Sequence, residues 1–298
     1  MLIKLIYVVV ILLFSVYITN AQLSVNRAGF PILIHHNLDS NKYIESTNRF
    51  SFNVQRGFGS TKEQYYINGI MEGLIELYRW DMSVLAIMVS NEVTIDPFND
   101  IKFNPKGTTW QETLFYTYGT NMLNYTVGFT HRSRHEVDNY DTDRKDITSI
   151  EDLTKRVPLT SGPFLGISKI YDFNNFIFSS LFDYYYAINS GDWRDPINEY
   201  PISFATFNGE LNNLIVLEHK TFKKVNLYSR IWNNFMFFEK GITKYNGKIE
   251  LGTKFSVSKS KVSIYMAYET FFDDFTNVKP QSSEFFNIGV RLSDSMIW

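Results

Sequence analysis

The sequence predicts an all-β fold: a closed antiparallel transmembrane β-barrel of about twelve strands, with short periplasmic turns and longer extracellular loops. Three observations predict it. Apolar and polar residues alternate along most of the chain from about residue 48. The alternating runs are about 11 to 16 residues long, where ordinary strands cluster near 5 to 6. Short and long connections follow one another in turn. A soluble sandwich also alternates, but it has no reason to sort its connections by length.

Alternation is clearest between Tyr245 and Val257. Tyr245, Ile249, Leu251, Phe255 and Val257 fall on one face; Asn246, Lys248, Glu250 and Lys254 fall on the other. Successive side chains of a strand point to opposite faces, so this is an oily wall backed by a charged one. The split recurs in Val225–Phe237, Val262–Glu269 and Phe286–Leu292. Strands are expected at 48–57, 66–79, 81–94, 108–119, 121–134, 162–171, 174–188, 203–219, 223–238, 243–257, 260–273 and 282–298. Turns near Trp80, Gly119, Phe173, Phe222 and Ser258 are short. Connections at 58–65, 95–107, 135–161, 189–202 and 274–281 are longer, with 239–242 the exception.

Composition agrees. Phe, Tyr and Trp make up 17% of the residues, yet mean hydropathy is only −0.17. A barrel averages this way because one residue of each pair faces lipid and the next a polar lumen. A helical membrane protein would need spans of about 20 apolar residues, and none follows the first 21 positions. A formal net charge of −2 gives no general attraction to nucleic acid, and the absence of cysteine excludes disulfides and thiolate chemistry.

Residues 1–21 read as a secretory signal peptide. Lys4 supplies the positive start, Leu5 to Val16 the short apolar stretch, and Thr19-Asn20-Ala21 the small-residue exit before Gln22. Residues 22–47 are expected to be a periplasmic N-terminal segment, and 48–298 the barrel. Inward charges (Glu72, Glu76, Arg230, Lys248, Glu250, Lys254, Glu269 and Arg291), mixed with Tyr228, Trp232 and Tyr265, predict a paired, plugged interior.

One constellation has the residue types for catalysis. Leu123, Tyr125, Val127 and Phe129 form an outward series that continues by twos into His131, Ser133 and His135, at the extracellular end. A serine needs an adjacent base to become a nucleophile, and a neutral imidazole can serve. Residues i and i+2 share a face, which brings His131 beside Ser133. Glu112, on the outward face of the preceding strand, and Asp138, in the following loop, are the candidates to orient the histidine.

His131-Arg132-Ser133 resembles the lipid-facing His-x-Ser pair of the outer-membrane lipid acyl hydrolases, the phospholipase A and lipid A deacylase barrels. The final strand, with Ile288, Val290, Leu292 and Met296 at even spacing before Trp298, resembles the C-terminal signature of outer-membrane barrels. That resemblance implies a location in the bacterial outer membrane and recognition of the Trp298 strand by the barrel-assembly machinery. The hydrolase resemblance implies an esterase acting on phospholipid or lipopolysaccharide, with His131 as general base and Ser133 as nucleophile. It also implies calcium, for which Asp138, Asp141 and Asp143 of the acidic loop are candidate hard-oxygen ligands. The sequence departs from that pattern in two ways. Arg134 follows the serine in place of Asn or Gly, and the family's Asn or Glu on the next strand has no counterpart near the expected start of strand six.

Two non-enzymatic readings stand beside this one. Arg132, Arg134 and Arg144 are candidate ligands for lipid head-group phosphates. The barrel is then either a channel or a surface-recognition protein, with Trp193 and Tyr200 in its contact loops.

Overall fold

The computed structural model describes residues 49–58, 67–80, 82–96, 104–120, 122–136, 157–193, 204–257, 260–272 and 282–294. The expected signal peptide, the segment 22–47 and Trp298 lie outside them. Thirteen strands form one antiparallel sheet among these residues: β1 (Arg49–Phe58), β2 (Ile67–Trp80), β3 (Ser83–Asp96), β4 (Asn104–Gly119), β5 (Asn124–Glu136), β6 (Val157–Phe173), β7 (Phe176–Tyr186), β8 (Asn189–Trp193), β9 (Phe207–Phe222), β10 (Val225–Phe238), β11 (Thr243–Val257), β12 (Ser260–Phe272) and β13 (Ser282–Asp294). Consecutive strands pair except at β8, which pairs with β6 while β7 pairs on to β9; β1 pairs with β13 and β5 with β6, so the sheet closes.

Twelve staves form the ring, because β7 and β8 share one. Both pair with β6, β7 along Phe164–Phe173 and β8 along Val157–Ser161, with a break at Ala187 and Ile188. Gly162 sits opposite the break. A Cβ there would fall 1.8 Å from the carbonyl oxygen of Tyr186, so only glycine lets the two backbones approach.

Closure leaves no edge along the apolar belt, as a wall in lipid requires; the short β8, at the long-loop rim, pairs only with β6 among the described residues. The predicted two-sided pattern is present all round. Leu227, Leu251, Ile264, Met266, Ile288 and Val290 are exposed on the outside. Asn53, Glu72, Arg230, Lys248, Glu250, Glu269 and Arg291 are buried inside. Soluble proteins rarely leave so large a continuous apolar surface facing water, and on a closed barrel such an exterior is a membrane-facing belt.

The interior is filled and paired. Glu250 accepts from Arg291 Nη1 at 2.8 Å, from Arg291 Nη2 at 2.9 Å and from Tyr228 Oη at 2.7 Å. Lys248 Nζ donates to Gln55 Oε1 at 2.7 Å, and Asn287 donates to Glu269 at 2.9 Å. Nearer the short-turn rim, Lys254 pairs with Glu218, which also accepts from Asn226. Phe204, in a single 3-10 turn (Phe204–Thr206), turns inward and packs with Phe207 and Phe238 at the long-loop end.

Strand limits differ from expectation at one point that matters. The strand expected at 162–171 begins at Val157. Pro158 makes the stretch before 162 read as a loop, but it stays in register with β5, with Ser161 opposite His131 just as Pro163 is opposite Phe129.

Candidate functional site

The segment Phe129–His135 occupies the last two turns of the pleat before the long-loop rim. Its parity is as expected: Tyr125, Val127, Phe129 and His135 face outward and exposed, Thr130 and Arg132 inward and buried. Register then assembles a row that spans three strands. Glu112 on β4 lies directly across from His131 on β5, which lies directly across from Ser161 on β6. One step nearer the rim, Trp110 on β4, Ser133 on β5 and Leu159 on β6 form the next row. Below, Leu114, Phe129 and Pro163 begin the apolar belt. Opposed residues of antiparallel neighbours have Cβ atoms about 4.5–5.5 Å apart, so each row is a set of touching side chains.

His131 is only partly exposed, and its Nδ1 is 2.7 Å from Ser161 Oγ. No hydrogen bond joins His131 to Ser133 among the described residues. Ser133 is 9% exposed although it faces outward. Glu112 is exposed, and its Oε1 accepts from Trp110 Nε1 at 2.7 Å rather than from the histidine beside it. His135 stands at the rim on the same face, opposite Thr108. The outward face at this level is therefore a polar notch in the residue pattern at the top of the apolar wall: His131 stands between the carboxylate of Glu112 and the hydroxyl of Ser161, with Ser133 one row nearer the rim.

Ser161 is the residue that sequence reading misses. The signal was present: counting back by twos from outward Leu165 gives Pro163, Ser161 and Leu159 on the same face. Ser161 falls one position before the expected strand start at 162, and Pro158 makes the stretch before it look like the end of a loop.

The arginines need correction as head-group ligands. Arg132 is 1% exposed inside the barrel. Its Nη1 lies 2.5 Å from Glu210 Oε1, and its guanidinium sits 4.8 Å from the centre of the Tyr185 ring. Arg134 is buried too, over the Phe271 ring at 5.6 Å. Strand parity turns both away from lipid, so they brace the inner wall behind the notch. Arg144, Asp138, Asp141 and Asp143 fall outside the described residues. Among those described, no group of three acidic or histidine side chains is gathered as for a metal.

No family model and no curated protein matches this sequence. Solved structures do resemble it in fold. Outer membrane phospholipase A from Escherichia coli aligns at 12% identity and a TM-score of 0.44, covering 89% of this chain and 95% of that one. LpxR from Salmonella typhimurium aligns at 9% identity and 0.44, covering 83% and 99%. The transport unit of the autotransporter AIDA-I from Escherichia coli aligns at 11% and 0.43, covering 88% and 93%. The chain thus resembles outer-membrane barrels, including those of the phospholipase A and LpxR type. At this identity the likeness is one of architecture alone, shared by barrels of different activity.

Proposed function

We propose that this protein is a bacterial outer-membrane barrel that hydrolyses acyl esters of membrane lipid, with Ser133 as nucleophile, His131 as general base and Ser161 as the group that orients the base. The hydrogen bond between His131 Nδ1 and Ser161 Oγ carries the reading. With the Nδ1 proton donated to Ser161, the basic lone pair resides on Nε2, the nitrogen left for Ser133 or substrate. Ser161 then occupies the role for which Glu112 and Asp138 are candidates on sequence. The position supports the same chemistry. An acyl chain lying along Leu114, Phe129 and Leu165 brings its ester to the row of His131, and its head group to the level of His135.

In the reaction, Ser133 Oγ attacks the ester carbonyl carbon while its proton passes to His131. The imidazolium returns that proton to the leaving alcohol, and water then releases the acyl group by the reverse sequence. Export by residues 1–21 and assembly through the Trp298 strand belong to the same proposal, since lipid reaches this face only in the membrane.

The test is release of labelled fatty acid from phospholipid and from lipid A by the refolded barrel. Ser133→Ala and His131→Ala should each lose about 10²–10⁴-fold in kcat. Ser161→Ala should lose about tenfold, the worth of one hydrogen bond that orients the ring. Equal activity in wild type and Ser133→Ala overturns the assignment.

A further inference from the structure

Ser133 is 9% exposed, whereas Phe129, two steps below it on the same outward face, is 44% exposed. Register supplies the reason. Ser133 stands between Trp110 and Leu159, two larger side chains on the flanking strands. The Trp110 indole is itself tethered, because its Nε1 donates to Glu112 Oε1 at 2.7 Å, and Glu112 is level with His131 one row below. The indole therefore tilts along β4 from the row of Ser133 toward the row of the base, on the flank of Ser133. Glu112, placed beside His131 by register, spends its carboxylate on this tether.

We propose that Trp110, latched by Glu112, is a gate over Ser133 that opens to a lipid acyl ester and not to small solutes in water. This rests on Ser133 being the nucleophile. Two features of the surface fit such a gate. The row of His131 lies directly above the apolar stripe of Leu114 and Phe129, along which an acyl chain would lie. Tryptophan also prefers the head-group level of a bilayer, so a lipid interface offers the displaced ring a favourable place to go. In detergent or water the closed arrangement keeps its hydrogen bond; at a loaded interface both partners of that bond gain others.

The experiment uses the full refolded protein in detergent and a soluble ethyl fluorophosphonate. Ser133 Oγ forms a P–O bond, fluoride leaves, and the hydroxyl proton passes to His131. Mass spectrometry of the peptide carrying Ser133 gives the labelling rate. Trp110→Ala and Glu112→Leu should each be labelled about tenfold faster than wild type, the closed–open bias expected of one hydrogen bond to a charged acceptor at a partly solvated site. Glu112→Leu keeps the tryptophan and guards against a fold defect in Trp110→Ala. Labelling of Ser133 at the wild-type rate in both variants overturns the gate while leaving the nucleophile in place. A faster Trp110→Ala beside an unchanged Glu112→Leu overturns the latch. Absence of label on Ser133 in every variant overturns the nucleophile itself.

Discussion

Replacing Glu250 by Gln should cost the barrel about 3 kcal/mol of stability. Glu250 is fully buried and anchors the charged layer of the lumen. It accepts both Arg291 terminal nitrogens at 2.8 and 2.9 Å and the Tyr228 hydroxyl at 2.7 Å. Arg230 Nη1 and Lys248 Nζ each stand 4.0 Å from its Oε2. Glutamine keeps the shape and one acceptor oxygen but turns an amide toward the arginine fork. Three cations then lose the carboxylate they surround. Breaking a buried pair by neutralising one partner costs about 3–5 kcal/mol, and the polar setting of this layer places the value at the lower end. Unfolding in phospholipid vesicles, followed by tryptophan fluorescence against urea, measures it. A loss of about 3 kcal/mol lowers the folding constant by about two powers of ten. The double variant Glu250→Gln/Arg291→Met should be less destabilised than the sum of its single variants, since the second change removes the charge that the first leaves unpaired. A Glu250→Gln loss below about 0.5 kcal/mol would refute the reasoning, because it would mean that lumenal water, not the carboxylate, compensates the three cations.

Two further outcomes follow from the wall itself. Ile249→Arg, in the exposed outer face of β11, should destabilise by about 2–4 kcal/mol in vesicles if that face meets the hydrocarbon, whereas the same change on a water-exposed strand would be nearly neutral in the same urea titration. Gly162→Ala should impair folding by more than a typical surface change, because the added methyl meets the Tyr186 carbonyl at the β7–β8 break; heat-modified mobility on a denaturing gel reports the folded fraction.

The sequence by itself determined the barrel. Long runs with a period of two, such as Tyr245–Val257, force one face into oil and the other into an enclosed interior, and Glu250 and Leu251 take the sides their parity assigns. The sorting of connections into short and long needed no coordinates either. Parity also put His131 and Ser133 on the outer wall and Arg132 inside it, though only burial against Glu210 and Tyr185 removed that arginine from the head-group role.

Tertiary structure decided what stands beside what. Register between strands is set by closure of the whole ring, and no local pattern reports it. Glu112 is 19 positions from His131 and Ser161 is 30 beyond it, yet the pairing of β4, β5 and β6 places the three in one row. Pro158 argues against a strand locally, yet β6 runs through it to Val157, paired with β5 as far as Leu159 and with β8 from Ser161 to Val157. The serine that holds the histidine belongs to that segment, and the tether of Glu112 to Trp110 is a choice of side-chain partner made only after both strands are in place. Alternation fixes the face of each residue because it is a property of the chain; neighbours across strands are a property of the closed sheet.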